Sequence, residues 1–207
     1  MVPGFVLGLT VHEYCHALAA YRLGDDTAAQ AGRLSLNPAK HLDLFGSLML
    51  LLAGFGWAKP VPVNPANLRN PRTDMLWIAL AGPFANLLIA FAVGTLIASF
   101  FSVTSPGALT GQSSLMAILV ATVWINALLA VFNLLPIPPL DGSRILDTLV
   151  PRQWYGPYLT FRRLGPMIIL GVVVISAVAD VSLFGAVLVP VVDPIFRLCL
   201  GGEWQAF

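Results

Sequence analysis

Three apolar runs, at 74–101, 113–135 and 164–192, limit what this chain can fold into more than any other feature. Each exceeds the roughly 20 residues that cross a bilayer as a helix. Lipid offers no partner to backbone N–H and C=O groups, so only helices and closed barrels span it. The ten-residue segments of alternating polarity that build a membrane barrel are absent. The sequence therefore predicts an all-α integral membrane protein, a polytopic helical bundle of about 4–6 membrane segments. Composition agrees, since 57% of the 207 residues are hydrophobic and 10% are charged, against about 25% charged in soluble domains.

Composition also excludes function classes. A net charge of +1 leaves no electrostatic footprint for nucleic acid. Cys15 and Cys199 lie in apolar segments and form no disulfide framework. The N-terminal segment lacks a basic region and a small-residue cleavage site, so no removable signal peptide is expected. With no linker, repeat or low-complexity tract, residues 1–207 read as a single membrane-embedded domain.

Charge sets the expected topology. Basic residues cluster at Arg22, Arg33, Lys40, Lys59, Arg69 and Arg72, and again at Arg144, Arg152, Arg162 and Arg163, while the 102–112 loop has none. The positive-inside rule then puts 22–73 and 141–163 in the cytoplasm and 102–112 outside. That holds only if the short glycine-rich stretch 42–57 re-enters the membrane without crossing it. The stretch 164–200, interrupted by Ala179–Ser182 and Pro190, is one span plus a C-terminal apolar helix, or two tilted pieces.

His12-Glu13-Tyr14-Cys15-His16, in the first apolar segment, is H-E-x-x-H. On a helix, i and i+4 share a face, so both imidazoles can reach one ion. Zn²⁺ takes such nitrogen ligands and, in catalytic sites, keeps a position open for water. Glu13, beside the first ligand, suits a general base. The alternative is a histidine pair satisfied by backbone or water, but ionisable groups within membrane segments are costly and usually functional. Residues 133–142, NLLPIPPLDG, supply the third-ligand candidate. Their prolines break the helix and present Asp141 at the level of His12 and His16, on the cytoplasmic side. An ordinary Asp-Gly turn is the plainer explanation of Asp141. His41 is a rival third ligand and Cys15 a weaker one.

H-E-x-x-H in an early apolar helix, followed far downstream by Asn133, Pro136, Pro138, Leu140, Asp141 and Gly142 in the pattern N-x-x-P-x-P-x-L-D-G, resembles the site-2 protease family of intramembrane zinc metalloproteases. GWAKPVPVNP (56–65) and AGPFAN (81–86) resemble its compact bacterial branch. The resemblance implies that His12, His16 and Asp141 bind Zn²⁺, that Glu13 is catalytic and that Asn133 helps stabilise the reaction. It implies membrane lipids as surroundings, a bacterial cell membrane, and other proteins' transmembrane segments as substrates. Only eleven residues precede His12, so a preceding helix of longer relatives is expected to be missing. No PDZ- or CBS-type regulatory domain is expected either.

A substrate helix hides its peptide bonds, so something must hold it unwound. In an extended KPVPVNP segment, Pro60 and Pro62 remove donors from one edge while Val61 and Val63 keep theirs on the other. Such an edge can pair with unwound substrate; a partnerless proline-rich loop is the alternative. Asn86 either binds unwound backbone or bonds to a neighbouring helix, and Gly82-Pro83 should bend its helix locally. Two other functions compete with proteolysis. A metal or proton carrier needs ionisable residues along several spans, and apart from Asp180 almost none is present. An inactive relative that only binds membrane partners is disfavoured by the intact Glu13.

Overall fold

The computed structural model describes residues 2–53, 56–100 and 114–201. The loop expected at 102–112 and residues 54–55 lie outside the described residues. Among those described, the chain is all helix, with no strand beyond an isolated Leu42–Ala58 bridge. Its helices are α1 (Val2–Arg22), α2 (Thr27–Gln30), α3 (Leu44–Ala53), α4 (Pro71–Phe100), α5 (Ser114–Asn133), α6 (Gly142–Leu149), α7 (Tyr155–Ala179) and α8 (Leu183–Leu200). Four of them, α4, α5, α7 and α8, are long and apolar enough to cross a membrane. The chain is a polytopic helical membrane protein. α1 has the length, 21 residues, but is not among those four; it carries His12, Glu13 and His16 and packs against α4 and α5.

Three helices form the centre. α1 runs antiparallel to α4, with His12 beside Asn86 and His16 beside Ile78. It runs parallel to α5, with Gly4 against Thr122 and Gly8 against Asn126. α8 closes the bundle antiparallel to α5, placing Phe184 on Phe132 and Phe196 edge-on to Trp124 at 5.3 Å. The α4–α5–α8 core joins Ile97, Val120, Val123, Val192 and Phe196 with small Ala90 and Ala127. Lipid is as apolar as these side chains, so close packing rather than water exclusion holds the helices together. Outward-facing Trp77, Phe84 and Leu88 of α4 are exposed, as lipid-facing residues are.

Helix ends follow local chemistry. α4 opens with Pro71, whose missing N–H costs nothing in a first turn. The Asp74 carboxylate accepts from Asn70 N–H at 2.8 Å and places negative charge at the positive end of the helix dipole. The helix continues unbroken through Pro83. The stretch 164–200 resolves into two helices, because Asp180 turns left-handed (φ 54°) and Ser182 caps α8 through Gly185 N–H at 3.0 Å. α7 also begins earlier than the apolar pattern indicates, at Tyr155, and includes Arg162 and Arg163. Tyr158, near its start, donates to Ser143 O at 3.0 Å, so α7 begins beside α6, next to Asp141.

The 42–57 stretch does turn back on itself. α3 has ten residues, about 15 Å of helix, half of a membrane crossing. Leu42 pairs with Ala58, and Lys59 N–H donates to His41 O at 2.8 Å. Both ends of the stretch therefore sit at the same place, as a re-entrant segment requires.

Candidate metal centre

Three side chains from two distant parts of the chain meet at one point. His12 Nε2 and His16 Nε2 are 2.9 Å apart. Asp141 Oδ2 lies 3.1 Å from the first and 3.2 Å from the second. Helical spacing explains the histidine pair, one turn apart on α1. Asp141 arrives because α5 ends at Asn133 and the proline-rich turn folds back before α6 begins. Although it stands directly before α6, its carboxylate makes no capping bond there and is turned to the histidines instead.

The remaining ring nitrogens identify the free electron pairs. His16 Nδ1 is 2.6 Å from Ile78 O; a carbonyl only accepts, so the proton sits on Nδ1. His12 Nδ1 is 2.6 Å from Asn86 Oδ1. In each neutral ring Nε2 then offers a lone pair, a tautomer assigned from its partners. Two imidazole lone pairs and a carboxylate oxygen facing each other hold either a proton or a cation. Four ligands at 2.0–2.1 Å from one ion lie about 3.3 Å apart, close to the 2.9–3.2 Å separations found here. The set fits Zn²⁺, and it is the one such His/Cys/Asp/Glu group among the described residues. α4 comes close enough only because residue 82 is glycine: a Cβ there would stand 2.5 Å from His16 Nε2 and 2.6 Å from His12 Nε2.

A cavity of about 850 Å³ opens on this centre, lined by His12, Glu13, His16, Asp141, Asn133, Val61 and Val63 among others. Glu13 is buried, and no hydrogen bond occupies its carboxylate among the described residues. Asn133 spends one N–H on Leu129 O at 2.9 Å, a bond within its own helix, and keeps a second donor. Burial lowers the Arg33 guanidinium from its ordinary pKa, and the Glu13 charge acts in the opposite sense.

Burial alternates along the Val61–Val63 segment, as on an extended edge, with the two valines half-buried and Pro60, Pro62 and Asn64 exposed. It is braced from behind. Arg33 donates to Pro60 O at 3.2 Å and to Lys59 O. Asn64 N–H donates to Asp25 at 2.7 Å, and Asn67 Nδ2 to the same carboxylate at 2.9 Å. Asp25 is fully buried. Burial raises its pKa, but hydrogen bonds from Thr27, Asn67 and Asn64 outweigh that, and it is held below the usual carboxylate value. Val63 packs on Ala20, Leu68 and Ile78, tying the segment to α1 and α4. The Val61 and Val63 N–H groups have no partner among the described residues.

Other sequence candidates lie elsewhere. His41 is fully buried, with Nε2 donating to Ser35 O at 2.6 Å. Neither it nor Cys15 belongs to the ligand group. Asn86 is fully buried and absent from the cavity wall; its bonds go to helix α1 through His12 and Gly8 and to Asn126 of α5. Asp180 lies in a turn, whereas Asp193 of α8 is ion-paired with Arg197 at 2.7 Å. Sequence reasoning missed Asn126, though an amide inside an apolar span was a readable signal. It also missed Arg33 and Asp25, which loop sequence does not distinguish from solvated charges.

Fold and site together define a membrane protein with a two-histidine, one-aspartate ligand set beside a buried glutamate. Residues 96–174, which include Asn133 to Gly142, match the sequence model of Peptidase family M50. The chain is 44% identical over 163 residues to "Putative zinc metalloprotease YwhC" of Bacillus subtilis (strain 168), covering 73% of this chain and 69% of that one. Proteins of the same printed description are Rip2 of Mycobacterium tuberculosis (strain Erdman), 33% identical over 153 residues, and MJ0611 of Methanocaldococcus jannaschii, 44% identical over 139 residues. These alignments cover 71% and 67% of this chain, and 56% and 64% of the relatives. The chain belongs to Peptidase family M50, the site-2 protease family. No solved structure matches it.

Proposed function

We propose that this chain is an intramembrane zinc metalloendopeptidase that hydrolyses peptide bonds in or near the transmembrane segments of other membrane proteins. The observation that carries this is the convergence of His12, His16 and Asp141 within a cavity also walled by Glu13 and the Val61–Val63 edge. In this reading His12, His16 and Asp141 hold Zn²⁺. When bound, the ion supplies a Lewis-acid centre that makes water nucleophilic near neutral pH.

The chain's own residues do the rest. Glu13, whose carboxylate has no hydrogen bond among the described residues, takes the proton from the attacking water and passes it to the leaving amine. Asn133 turns its unused N–H to the oxygen that becomes negative, a contribution of about 2.7–4 kcal/mol in comparable sites. Val61 and Val63 offer N–H groups to a substrate segment whose own helix has opened, and Arg33 and Asp25 keep that edge straight. In this reading this end of the bundle faces the cytoplasm, an orientation the basic clusters support, and the lipid of a bacterial cell membrane surrounds the exposed faces.

The test is direct. Purified protein in lipid vesicles, supplied with zinc and a transmembrane peptide, should cut the peptide. Glu13→Gln should bind zinc equally and cut it at least about a hundredfold more slowly, as expected when a general base is lost. A Glu13→Gln protein that turns over like the wild type would remove the proposal's mechanism.

A further inference from the structure

Two asparagines that the hydrolysis does not use sit fully buried between the helices, Asn86 on α4 and Asn126 on α5. An amide buried there is unfavourable unless its donors and acceptors are bonded, and these are. Asn126 Nδ2 donates to Thr122 O at 2.9 Å and to Gly4 O at 3.3 Å. Carbonyls only accept, so the Asn126 amide has one orientation. Its Oδ1 then accepts from Asn86 Nδ2 at 2.9 Å, which also donates to Gly8 O at 3.0 Å. That leaves Asn86 Oδ1 facing His12 Nδ1 at 2.6 Å.

We infer that Asn126 and Asn86 form an amide relay that holds His12 as its Nδ1–H tautomer and so aims its Nε2 lone pair at His16 and Asp141. The carbonyls of Gly4 and Gly8 set the direction of the relay, and His12 reads it out. The inference rests on the proposed function for the identity of the ion.

Close approach of α1 to α5 makes the relay possible. A Cβ at Gly8 would lie 2.4 Å from Asn126 Oδ1, and one at Gly4 would lie 2.5 Å from Thr122 Oγ1. Larger residues would push the helices apart and take Asn126 out of reach of α1. Gly4, Gly8, His12 and His16 recur every four residues and lie along one face of α1, so the contact is built on the ligand face itself. Asparagine is specific to the task. A carboxylate at 86 would accept from His12 but could give no proton to Gly8 O or to Asn126 Oδ1. Neither asparagine lines the cavity; both are positioning residues.

The test reads the histidine ring itself. The full chain, zinc-loaded and ¹⁵N-labelled at histidine, is examined by long-range NMR, with His12 assigned by difference from His12→Gln. The expected result is a proton on His12 Nδ1 and metal on Nε2. Metal on Nδ1, or an Nδ1 without its proton, overturns the relay while leaving zinc binding intact. Zinc dissociation constants are measured in parallel by chelator competition for Asn86→Ala and Asn126→Leu, with helix content checked by circular dichroism. Asn86→Ala should weaken binding about 10–100-fold, the usual effect of losing a ligand's outer partner. Asn126→Leu should weaken it in the same direction. Folded Asn86→Ala and Asn126→Leu proteins that bind zinc like wild type would mean that the amides only pack helices. Should those variants fail to fold, the wild-type ring spectrum decides alone. A wild-type chain that takes up no zinc overturns the relay and the proposed function together.

Discussion

Replacing Gly82 by alanine tests the site with a single methyl group. The added Cβ would lie 2.5 Å from His16 Nε2, 2.6 Å from His12 Nε2 and 2.7 Å from His12 Cε1. Ordinary contact begins near 3.4 Å, so the rings must retreat by 0.7–0.9 Å (3.4 less 2.7, and 3.4 less 2.5). They are poorly placed to do so. Each is tethered through Nδ1 by a 2.6 Å bond, His16 to Ile78 O and His12 to Asn86 Oδ1. Overpacking of this kind costs about 1–3 kcal/mol. If the strain falls on the metal-bound state, zinc binding weakens about 5–150-fold, since each 1.4 kcal/mol is a factor of ten. The assay is chelator competition on the purified protein, with peptide cleavage alongside. Gly171→Ala on α7 is the control, because nothing lies within 4 Å of a Cβ there. It should leave zinc untouched and stabilise its helix by up to about 1 kcal/mol. Wild-type zinc affinity and cleavage in Gly82→Ala would mean that His12 and His16 do not share an ion beside α4.

Three further outcomes follow from the geometry. Asp141→Ala should lower zinc occupancy while His41→Ala should not, measured by metal analysis of both proteins; the reverse would move the third ligand to His41. Val63→Ala should be mild for cleavage, whereas Val63→Pro should cost about 0.5–1.5 kcal/mol more through the lost N–H, with zinc unchanged in both; equal cleavage by the two would make the segment a plain loop. Asp25→Asn should lower stability by about 1.5–3 kcal/mol near neutral pH, because its hydrogen bonds are to a charged acceptor. The native Asp25 pKa lies below its ordinary value, so this stabilisation is complete above the unfolded pKa of about 3.9 and is lost as pH falls below it toward the native value. Thermal unfolding of wild type and variant should therefore converge as pH drops through that window.

What the sequence disclosed, and what it withheld, follows from the range of each signal. His12 and His16 were legible because one helical turn is a local rule, and Asp141 because prolines mark where a helix must break. The re-entrant stretch at 42–57 was legible from its length and from the charge on both sides of it. Asn86 shows the limit. Its polarity inside an apolar span announced a role, but which neighbour it faces depends on how α1, α4 and α5 are rotated, and α4 is apolar on all sides. Asn126 fell to the same ambiguity. Arg33 and Asp25 were hidden for a different reason: they lie in irregular chain, where no periodicity says that a charge is buried. The boundary of α7 was misplaced because Tyr155, Arg162 and Arg163 are helical without being apolar.

Under the proposed function, a polar site held by this bundle hydrolyses peptide bonds of a membrane segment. The most direct measurement incubates the zinc-loaded protein in vesicles with a single-span peptide in H₂¹⁸O and analyses the fragments by mass spectrometry. Cleavage within or at the edge of the apolar segment is predicted, with one ¹⁸O in the new carboxyl terminus and at least about a hundredfold less of that fragment from Glu13→Gln. An intact peptide in the presence of bound zinc, or equal fragments from both proteins, would contradict it.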